Sequence, residues 1–335
     1  MLLKGNLMNT KIIMLLCGGG ESEHEISLKS SKYIQENLKN IPNVEYIKVE
    51  IKKTGWYCPN GDKVFFDLDG NLNLATSKLK IDYVIPCIHG FPGETGDIQS
   101  LLKMSNTPYL GCNSESSKIC FNKVTTKLWF DALGIKNTPY IFLQDQSEDA
   151  LLKASNFLFE HEEVFVKAAS QGSSIGCYKV DNIGELLESI KKAFNYSDVV
   201  LIEKCLKVRE LEVAAYEMQD QLQVSFPGEI ITPQNSHYTF EEKYSSNSQS
   251  VTHVKASNLT AQQIEIIDIL SRKAFKFLNL KDLSRIDFFL TENGEIYLNE
   301  INTFPGMTEI SMFPKMLIEN GHSFQEYLKD KIAAE

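Results

Sequence analysis

A hairpin near the end of the chain constrains the fold more than any other feature of the sequence. The segment "SRIDFFLTENGEIYLNEINTFPG" places strand-forming residues on both sides of Asn293-Gly294. This dipeptide predicts a two-residue turn of type I′, because both central positions of that turn need φ > 0. In such a hairpin the residue numbers of two paired residues always add up to the same value, so Glu292 faces Glu295.

The same register brings two carboxylates together. Leu290 faces Tyr297, and Asp287 faces Glu300. Because side chains alternate with period two, Asn302 lies on the same face as Glu300. Like charges opposed at ~5 Å destabilise a sheet, so a positive charge should lie between them.

These acids lie in the segments "IDFFL" and "YLNEIN", which look half-buried. The alternative is an exposed hairpin whose acids are solvated. A desolvated carboxylate pair needs a counter-ion or a shared proton. Because oxygen ligands of this kind suit Mg²⁺, we predict a magnesium site at Asp287, Glu300 and Asn302. We expect two ions bridged by Glu300, with Mn²⁺ as a substitute metal.

The composition limits the class of protein. A chain of 335 residues with 43% hydrophobic and 23% charged residues is globular and has room for two or three domains. The net charge of -10 argues against nucleic acid or an anionic membrane as a partner. Seven scattered cysteines without a C-x-x-C pair indicate reduced thiols. We expect a soluble cytoplasmic protein.

The first half of the chain has an α/β pattern. An apolar strand over 12–16 leads into a glycine turn, a helix follows Ser27, and a second apolar strand spans 81–88. The N-terminal apolar run is too short for a secretion signal. Met1 and Met8 are both candidates for the natural start of the chain.

Further elements follow in the remainder of the chain. The pattern predicts a helix over 117–133, a strand–loop–strand unit in "EVFVKAASQGSSIGCYKV", a strand in "DVVLIEKCL", an antiparallel meander turning near Asp220, a polar lid over 232–250, a helix over 261–278 and a capping box at Ser323.

Two short segments have the composition of anion sites. In "QGSSIG", residues 171–176, glycines let backbone N–H groups approach an anion, and Lys167 supplies a nearby charge. A plain hairpin turn is the alternative. Lys123 and Lys127 repel each other one helical turn apart unless an anion relieves them. A solvated helix face is the alternative, and it fits Lys127 better than Lys123.

Eight segments follow one another along the chain: "GGGESEHEIS", "HGFPGETGDIQSLL", "FNKVTTKLW", "VKAASQGSSIG", "EKCLKVRELEVA", "FEEKYSS", "SRIDFFL" and "LNEINTFPGMTEISMFP". In content and in order they resemble the D-alanine–D-alanine ligase family of the ATP-grasp superfamily. The resemblance implies an α/β (α+β) fold with three domains. These are an N-terminal parallel α/β domain over 1–113, a central ATP-grasp subdomain over 114–205 and a C-terminal mixed-sheet domain over 206–335.

The resemblance also implies residues for the first D-alanine. Glu23 would hold its ammonium group and would be linked through Ser173 to Tyr244 in the lid. His89 would sit beside this substrate, and Glu94 would support the loop.

ATP and magnesium would be bound by further residues. In the family, the phosphates, adenine, ribose and metal are bound at positions that correspond here to Lys123, Lys167, Ser174, Glu203, Lys204, Leu206, Glu210, Asp287, Glu300 and Asn302. The first carboxylate would attack the γ-phosphorus of ATP to give an acyl phosphate.

The second D-alanine would then attack the acyl phosphate. Arg285 and the backbone N–H of Gly306 would stabilise the oxyanion, as such donors do in acyl transfer. Ser311 and Lys243 would hold the second carboxylate, and Met312 replaces the usual leucine beside them. The base that deprotonates the incoming amine is not identified.

The implied product is D-alanyl-D-alanine for peptidoglycan synthesis, made by a homodimer. Tyr244 favours an amine acceptor. The alternative is a related ligase with D-serine, D-lactate or another amino acid as acceptor. Ala168 and Gln171 depart from the family's common proline and glutamate, which affects the stiffness and charge of the "QGSSIG" loop.

Overall fold

The computed structural model describes residues 10–19, 23–231 and 251–334. Three β-sheets of seven, four and six strands organise this part of the chain, which confirms the expected mixed α/β class. Among its helices, none is both long and apolar enough to span a membrane. The domain boundaries after residues 113 and 205 stay predictions.

The first sheet starts from the apolar run near the N-terminus. Strand β1 (Lys11–Gly18) pairs in parallel with β2 (Val44–Lys52) and β7 (Tyr83–Pro86). Four short strands extend the sheet beyond β2 in antiparallel pairs: β3 (Gly55–Tyr57), β4 (Lys63–Phe66), β5 (Asn71–Asn73) and β6 (Lys78–Lys80). β7 is shorter than the predicted 81–88, because the N–H groups that follow it turn back to the strand's own carbonyls.

The first helix begins earlier than predicted. Helix α1 (His24–Leu38) already contains Ser27, which the sequence placed before its start. The Ser27 hydroxyl accepts the N–H of Gly18 at 2.7 Å and donates to the Cys87 carbonyl at 2.5 Å. It therefore ties α1 to β1 and to the end of β7 instead of capping the helix.

The helix predicted over 117–133 is two helices. Helix α2 (Asp97–Met104) precedes them, and α3 (Ser114–Phe121) is separated from α4 (Lys123–Ala132) by one extended residue, Asn122. The Asn122 side chain accepts the N–H groups of the first turn of α4 at 3.0 and 3.1 Å. Such an N-cap satisfies otherwise unpaired donors, and here it sets Lys123 at the start of a helix.

The second sheet has the predicted strand–loop–strand unit at its edge. Its order is β10–β9–β11–β8, all antiparallel, and its elements are β8 (Tyr140–Leu143), α5 (Glu148–His161), β9 (Val164–Ala168), β10 (Cys177–Val180), α6 (Ile183–Ala193) and β11 (Val200–Lys204). The two helices share one apolar core with the sheet. The "QGSSIG" loop connects β9 to β10.

The third sheet contains the predicted meander and hairpin. Its elements are β12 (Val208–Met218), β13 (Gln221–Val224), β14 (Gly228–Ile231), β15 (Val251–His253), α7 (Ala261–Phe277), β16 (Leu283–Thr291), β17 (Ile296–Asn302), α8 (Met312–Glu319) and α9 (Phe324–Ala333). The meander turns at Gln219 and Asp220, both at positive φ. The capping box at Ser323 is present.

The hairpin turn differs from the predicted type. Gly294 has φ 83°, but Asn293 does not have a positive φ. The Gly294 N–H donates to the Thr291 carbonyl at 2.9 Å, and the Thr291 N–H donates to the Glu295 carbonyl at 3.0 Å. The loop therefore has three residues, and the prediction that Glu292 faces Glu295 is wrong.

This longer loop shifts the upper part of the hairpin by one residue. Tyr297 pairs with Phe289, so its predicted pairing with Leu290 is wrong. A one-residue β-bulge further along shifts the register back, and Asp287 pairs with Glu300 as predicted. Bulges of this kind re-aim side chains next to functional sites.

The third sheet explains why acids alternate with apolar residues in the hairpin. One face is mostly apolar: Ile286, Phe288 and Leu298 fill a core that also contains Phe130 of α4. The other face is apolar only at one end, where it joins a core shared with the first sheet, α8 and α9. Its other end carries the charged residues of the hairpin.

Candidate active site

One large cleft collects the predicted site residues. Its volume is about 1390 Å³, and it is lined by residues of the second and third sheets and by residues from the segments that follow β1 and β7. Every predicted site residue that the structure describes lines it: Glu23, His89, Glu94, Lys123, Lys167, Ser173, Ser174, Glu203, Lys204, Leu206, Glu210, Arg285, Asp287, Glu300, Asn302, Gly306, Ser311 and Met312. Lys243 and Tyr244 lie outside the described residues.

Carboxylates surround one guanidinium on the third sheet. Arg285 donates from Nε to Asp287 Oδ1 at 2.8 Å and from Nη2 to Oδ2 at 2.7 Å, and its Nε lies 3.2 Å from Glu212 Oε1. Asn302 donates its amide N–H to Asp287 at 3.0 Å, which leaves its amide oxygen as an acceptor. We call Glu212, Arg285, Asp287, Glu300 and Asn302 the acidic cluster.

The sequence predicted a positive charge between Asp287 and Glu300, and the structure provides part of it. Arg285 neutralises Asp287, and Lys123 Nζ lies 3.9 Å from Glu300 Oε2. Burial lowers the pKa of Arg285, but the neighbouring carboxylates outweigh burial and raise it well above its usual value. Asp287, Glu300 and Asn302 present oxygen atoms of the kind that Mg²⁺ prefers, so the donor set fits that ion.

Sequence reasoning missed Glu212. It lies opposite Asp287 in the β12–β16 register, and its side chain is only 5% exposed. The alternation of "ELEVAAYE" places Glu210 and Glu212 on one face, a signal that could have identified it.

Lysines surround one carboxylate at the second sheet. Lys127 Nζ lies 2.6 Å from Glu203 Oε1, and Lys167 forms an ion pair with Glu203 Oε2. We call these three residues the lysine cluster. The Lys127 side chain is only 2% exposed, so the interpretation of Lys127 as part of a solvated helix face is wrong. The reason is the helix break at Asn122, after which α4 turns Lys127 inward.

Burial and charge oppose each other in the lysine cluster. Burial alone would raise the pKa of Glu203, but the two lysines outweigh it and lower the pKa to about 2. Burial lowers the pKa of Lys127, although Glu203 opposes that change. For Lys167, burial also acts to lower the pKa, but Glu203 prevails and raises it. Glu203 is therefore ionised, and Lys167 stays cationic at the cleft.

The "QGSSIG" loop lies against the carboxylate of Glu23. Ser173 and Ser174 have φ of 49° and 61°. Ser173 Oγ donates to Glu23 Oε1, so the link expected between them is present, while its continuation to Tyr244 lies outside the described residues. A Cβ on Gly172 would lie 2.7 Å from Glu23 Oε2, so the backbone approaches this carboxylate more closely than a larger residue allows.

Gln171, which stands where the family commonly has glutamate, makes two contacts in that loop. Its side chain donates to the Tyr196 carbonyl at 3.1 Å, and its own carbonyl accepts from Lys123 Nζ at 2.6 Å. The loop is thus attached to α4 through backbone contacts that do not need a glutamate.

Two family models match consecutive parts of the chain. The model described as "D-ala D-ala ligase N-terminus" matches residues 12–112, and "D-ala D-ala ligase C-terminus" matches residues 129–333. The chain belongs to the D-alanine–D-alanine ligase family. This confirms the resemblance seen in the sequence.

Individual members of the D-alanine–D-alanine ligase family are similar over nearly the full length. A D-alanine–D-alanine ligase of Vibrio atlanticus is 55% identical over 96% of this chain and 98% of its own. A D-alanyl-alanine synthetase A of Vibrio cholerae has a TM-score of 0.94 at 52% identity, covering 98% of both chains. A D-Ala:D-Ser ligase, VanG of Enterococcus faecalis, has a TM-score of 0.85 at 26% identity, covering 97% of this chain and 99% of its own. The shared architecture confirms the ATP-grasp fold.

Proposed function

We propose that this ligase joins two D-alanines into D-alanyl-D-alanine with ATP, through an acyl phosphate, for peptidoglycan synthesis. The observation that carries the proposal is the position of Lys123. Its Nζ contacts both Gln171 of the "QGSSIG" loop and Glu300 of the acidic cluster. One cation at this point can join bound phosphates to the carboxylates that would hold their metal.

The nucleotide would lie along the lysine side of the cleft. Lys123 and Lys167 would neutralise its phosphates, with Ser174 in the loop above them. Glu203, Lys204, Leu206 and Glu210 would surround adenine and ribose. Asp287, Glu300 and Asn302 would hold Mg²⁺, two ions in all, and bound Mg²⁺ supplies charge neutralisation and orientation of the phosphates.

The first D-alanine would lie between the loop and α1. Glu23 would receive its ammonium, with His89 beside it and Tyr244 closing the lid through Ser173. Its carboxylate oxygen would attack the γ-phosphorus, and ADP would leave. Positioning and charge neutralisation provide most of the rate in such transfers.

The second D-alanine would enter on the side of α8. Ser311 and Lys243 would hold its carboxylate near Met312. Its amine would attack the acyl carbon and displace phosphate, and Arg285 with the Gly306 N–H would stabilise the oxyanion. Ser311 Oγ accepts the Thr308 N–H at 3.0 Å, which fixes its position at the start of α8.

We further propose a homodimer in the cytoplasm. All seven cysteines are free thiols, as expected of a chain that works in a reducing compartment. Light scattering of the purified protein measures its mass and tests the dimer.

The test of function is a product assay. With ATP, Mg²⁺ and D-alanine, mass spectrometry should detect D-alanyl-D-alanine in a 1:1 ratio to released phosphate. D-serine and D-lactate, each offered with D-alanine, test the acceptor. Absence of dipeptide with D-alanine alone would refute the proposal, and a mixed product formed faster than D-alanyl-D-alanine would favour the alternative acceptor.

A further inference from the structure

A buried serine of α1 contacts the loop that carries Gly306. Ser30 is fully buried, and its hydroxyl lies 3.0 Å from His89 Nε2. The same oxygen accepts the N–H of Met307 at 3.2 Å. Ser30 has no place in the function proposed above, and it is separated from Met307 by 277 residues in sequence.

The other nitrogen of His89 holds the same loop. His89 Nδ1 lies 3.1 Å from the carbonyl oxygen of Phe304. A carbonyl only accepts, so Nδ1 carries the proton. In the neutral ring Nε2 is then an acceptor, and the Ser30 hydroxyl must donate to it. The Met307 N–H therefore donates to Ser30, the Ser30 hydroxyl donates to His89 Nε2, and His89 Nδ1 donates to the Phe304 carbonyl.

These bonds hold the loop on both sides of Gly306. The Phe304 carbonyl is fixed by His89, and the Met307 N–H is fixed by Ser30. Only Pro305 and Gly306 lie between the two anchored groups. A bonded network of buried polar groups is rigid, because breaking any one bond leaves a costly unsatisfied group.

We propose that Ser30 is a positioning residue for peptide-bond formation: with His89 it fixes the loop over 304–307 so that the Gly306 N–H points at the reacting carbonyl. The inference rests on the proposed function, because it takes Gly306 as an oxyanion donor. The inference also assigns His89 one tautomer, the neutral ring protonated at Nδ1. Both ring nitrogens bond to the protein, so His89 orients the loop and does not donate a proton to the substrate.

The chain offers a matched control in the next residue. Ser31 is on the same helix and is also fully buried, but its hydroxyl donates at 2.8 Å to the Leu28 carbonyl of its own helix. Ser30→Ala and Ser31→Ala each remove one buried hydroxyl. Only the first removes a contact with the Gly306 loop.

The kinetic test separates the two chemical steps. In Ser30→Ala, kcat for dipeptide formation should fall at least about tenfold, since small misplacements of a reacting group are costly. The KM values for ATP and D-alanine should stay within twofold. Positional isotope exchange in ATP, which reports acyl phosphate formation, should be retained. Ser31→Ala should keep kcat within twofold.

Three kinetic results would overturn the proposal. These are a kcat of Ser30→Ala within twofold of the unmodified enzyme, an equal loss in Ser31→Ala, or a fall of isotope exchange in parallel with dipeptide formation. If the unmodified enzyme makes no dipeptide at all, the proposed function fails instead.

A second measurement does not depend on the folding of Ser30→Ala. In the unmodified protein, the ring-nitrogen NMR signals of His89, assigned with His89→Gln, should be those of a neutral ring protonated at Nδ1. A ring protonated at Nε2, or at both nitrogens, at pH 7 would contradict the bond directions on which the inference depends.

Discussion

The acidic cluster and the lysine cluster are opposite solutions to one problem, the placement of charge in a cleft. In the lysine cluster the carboxylate of Glu203 is 3% exposed and lies beneath two lysines, of which Lys167 reaches the cleft with 16% exposure. In the acidic cluster the arrangement is reversed, because Arg285 lies among carboxylates and Glu300 is 29% exposed. The cleft therefore presents cations on one side and carboxylates on the other.

The comparison teaches that neighbours, and not residue type, set the charge that a cleft presents. Buried Glu203 and half-buried Glu94, both in this cleft, have pKa values shifted in opposite directions. The lysines bring the pKa of Glu203 down to about 2 against the effect of burial. Burial, reinforced by the charge of Glu23, raises the pKa of Glu94 to about 8. A desolvated carboxylate stays ionised where cations or hydrogen-bond donors outweigh the effect of burial, as the two lysines do at Glu203.

The largest effect should come from removing the half-buried carboxylate of the acidic cluster, Glu300. Glu300→Gln should lower kcat by at least about 100-fold, since even indirect partners of a metal ligand cost 10–100-fold. Glu295→Gln is the control, because Glu295 is on the same hairpin but pairs with Lys136 at the surface. Steady-state phosphate release measures both. A near-normal kcat in Glu300→Gln would mean that the carboxylates of the acidic cluster do not hold a metal that catalysis needs.

The lysine cluster should respond in stability as well as in activity. Lys127→Met leaves buried Glu203 with one cation, and breaking a buried ion pair costs about 3 kcal/mol of unfolding free energy or more. Lys192→Met removes an exposed ion pair with Glu188 and should leave the unfolding free energy nearly unchanged. Urea unfolding compares them. Equal losses would mean that burial does not distinguish Lys127.

The lysine cluster should also make stability depend on acid. Because the pKa of Glu203 is lowered from 4.5 to about 2, its contribution is complete above pH 4.5 and is lost as the pH falls towards 2. Between pH 4.5 and 3 this amounts to about 2 kcal/mol at 1.36 kcal/mol per pH unit. Urea unfolding of Glu203→Gln should lack this part of the slope. An unchanged slope would show that Glu203 is not held ionised.

The smallest effect should come from the hairpin turn beside the acidic cluster. Gly294 has φ 83°, so Gly294→Ala should cost about 1 kcal/mol of unfolding free energy. Gly184→Ala in α6 has no such strain and should be neutral or stabilising, since alanine is the better helix former. The kcat of Gly294→Ala should not change. A lower kcat would mean that the turn, and not the bulge, sets the acidic cluster.

The hairpin shows how far a sequence can predict a site. The facing of Asp287 and Glu300 was predicted from a two-residue turn that does not exist. A three-residue loop displaces the register by one residue, and the bulge at Asn299 displaces it back. The bulge interrupts the alternation of apolar and polar residues in β17 between Leu298 and Ile301, and this keeps the core face apolar. The pairing of Asp287 with Glu300 was predicted correctly because the two displacements cancel, while the turn type was not.

Lys127 shows what local pattern cannot supply. Its spacing from Lys123 predicts that both lysines lie on one face of a helix. Its burial depends on Glu203, which lies 76 positions further along the chain on β11. The residues of the eight family-like segments were identified by likeness in sequence. The contact of Arg285 with Glu212 required the register of two strands, β12 and β16, which no single segment contains.

The central claim is that the two clusters bind opposite charges of one complex, the metal at the carboxylates and the phosphates at the lysines. A crystal grown with a non-hydrolysable ATP analogue and Mn²⁺ tests it through the anomalous signal of the metal. The account predicts anomalous peaks within bonding distance of Asp287, Glu300 and Asn302, with phosphate oxygens contacting Lys123 and Lys167. Nucleotide bound in the cleft with no metal peak at those three residues would contradict it.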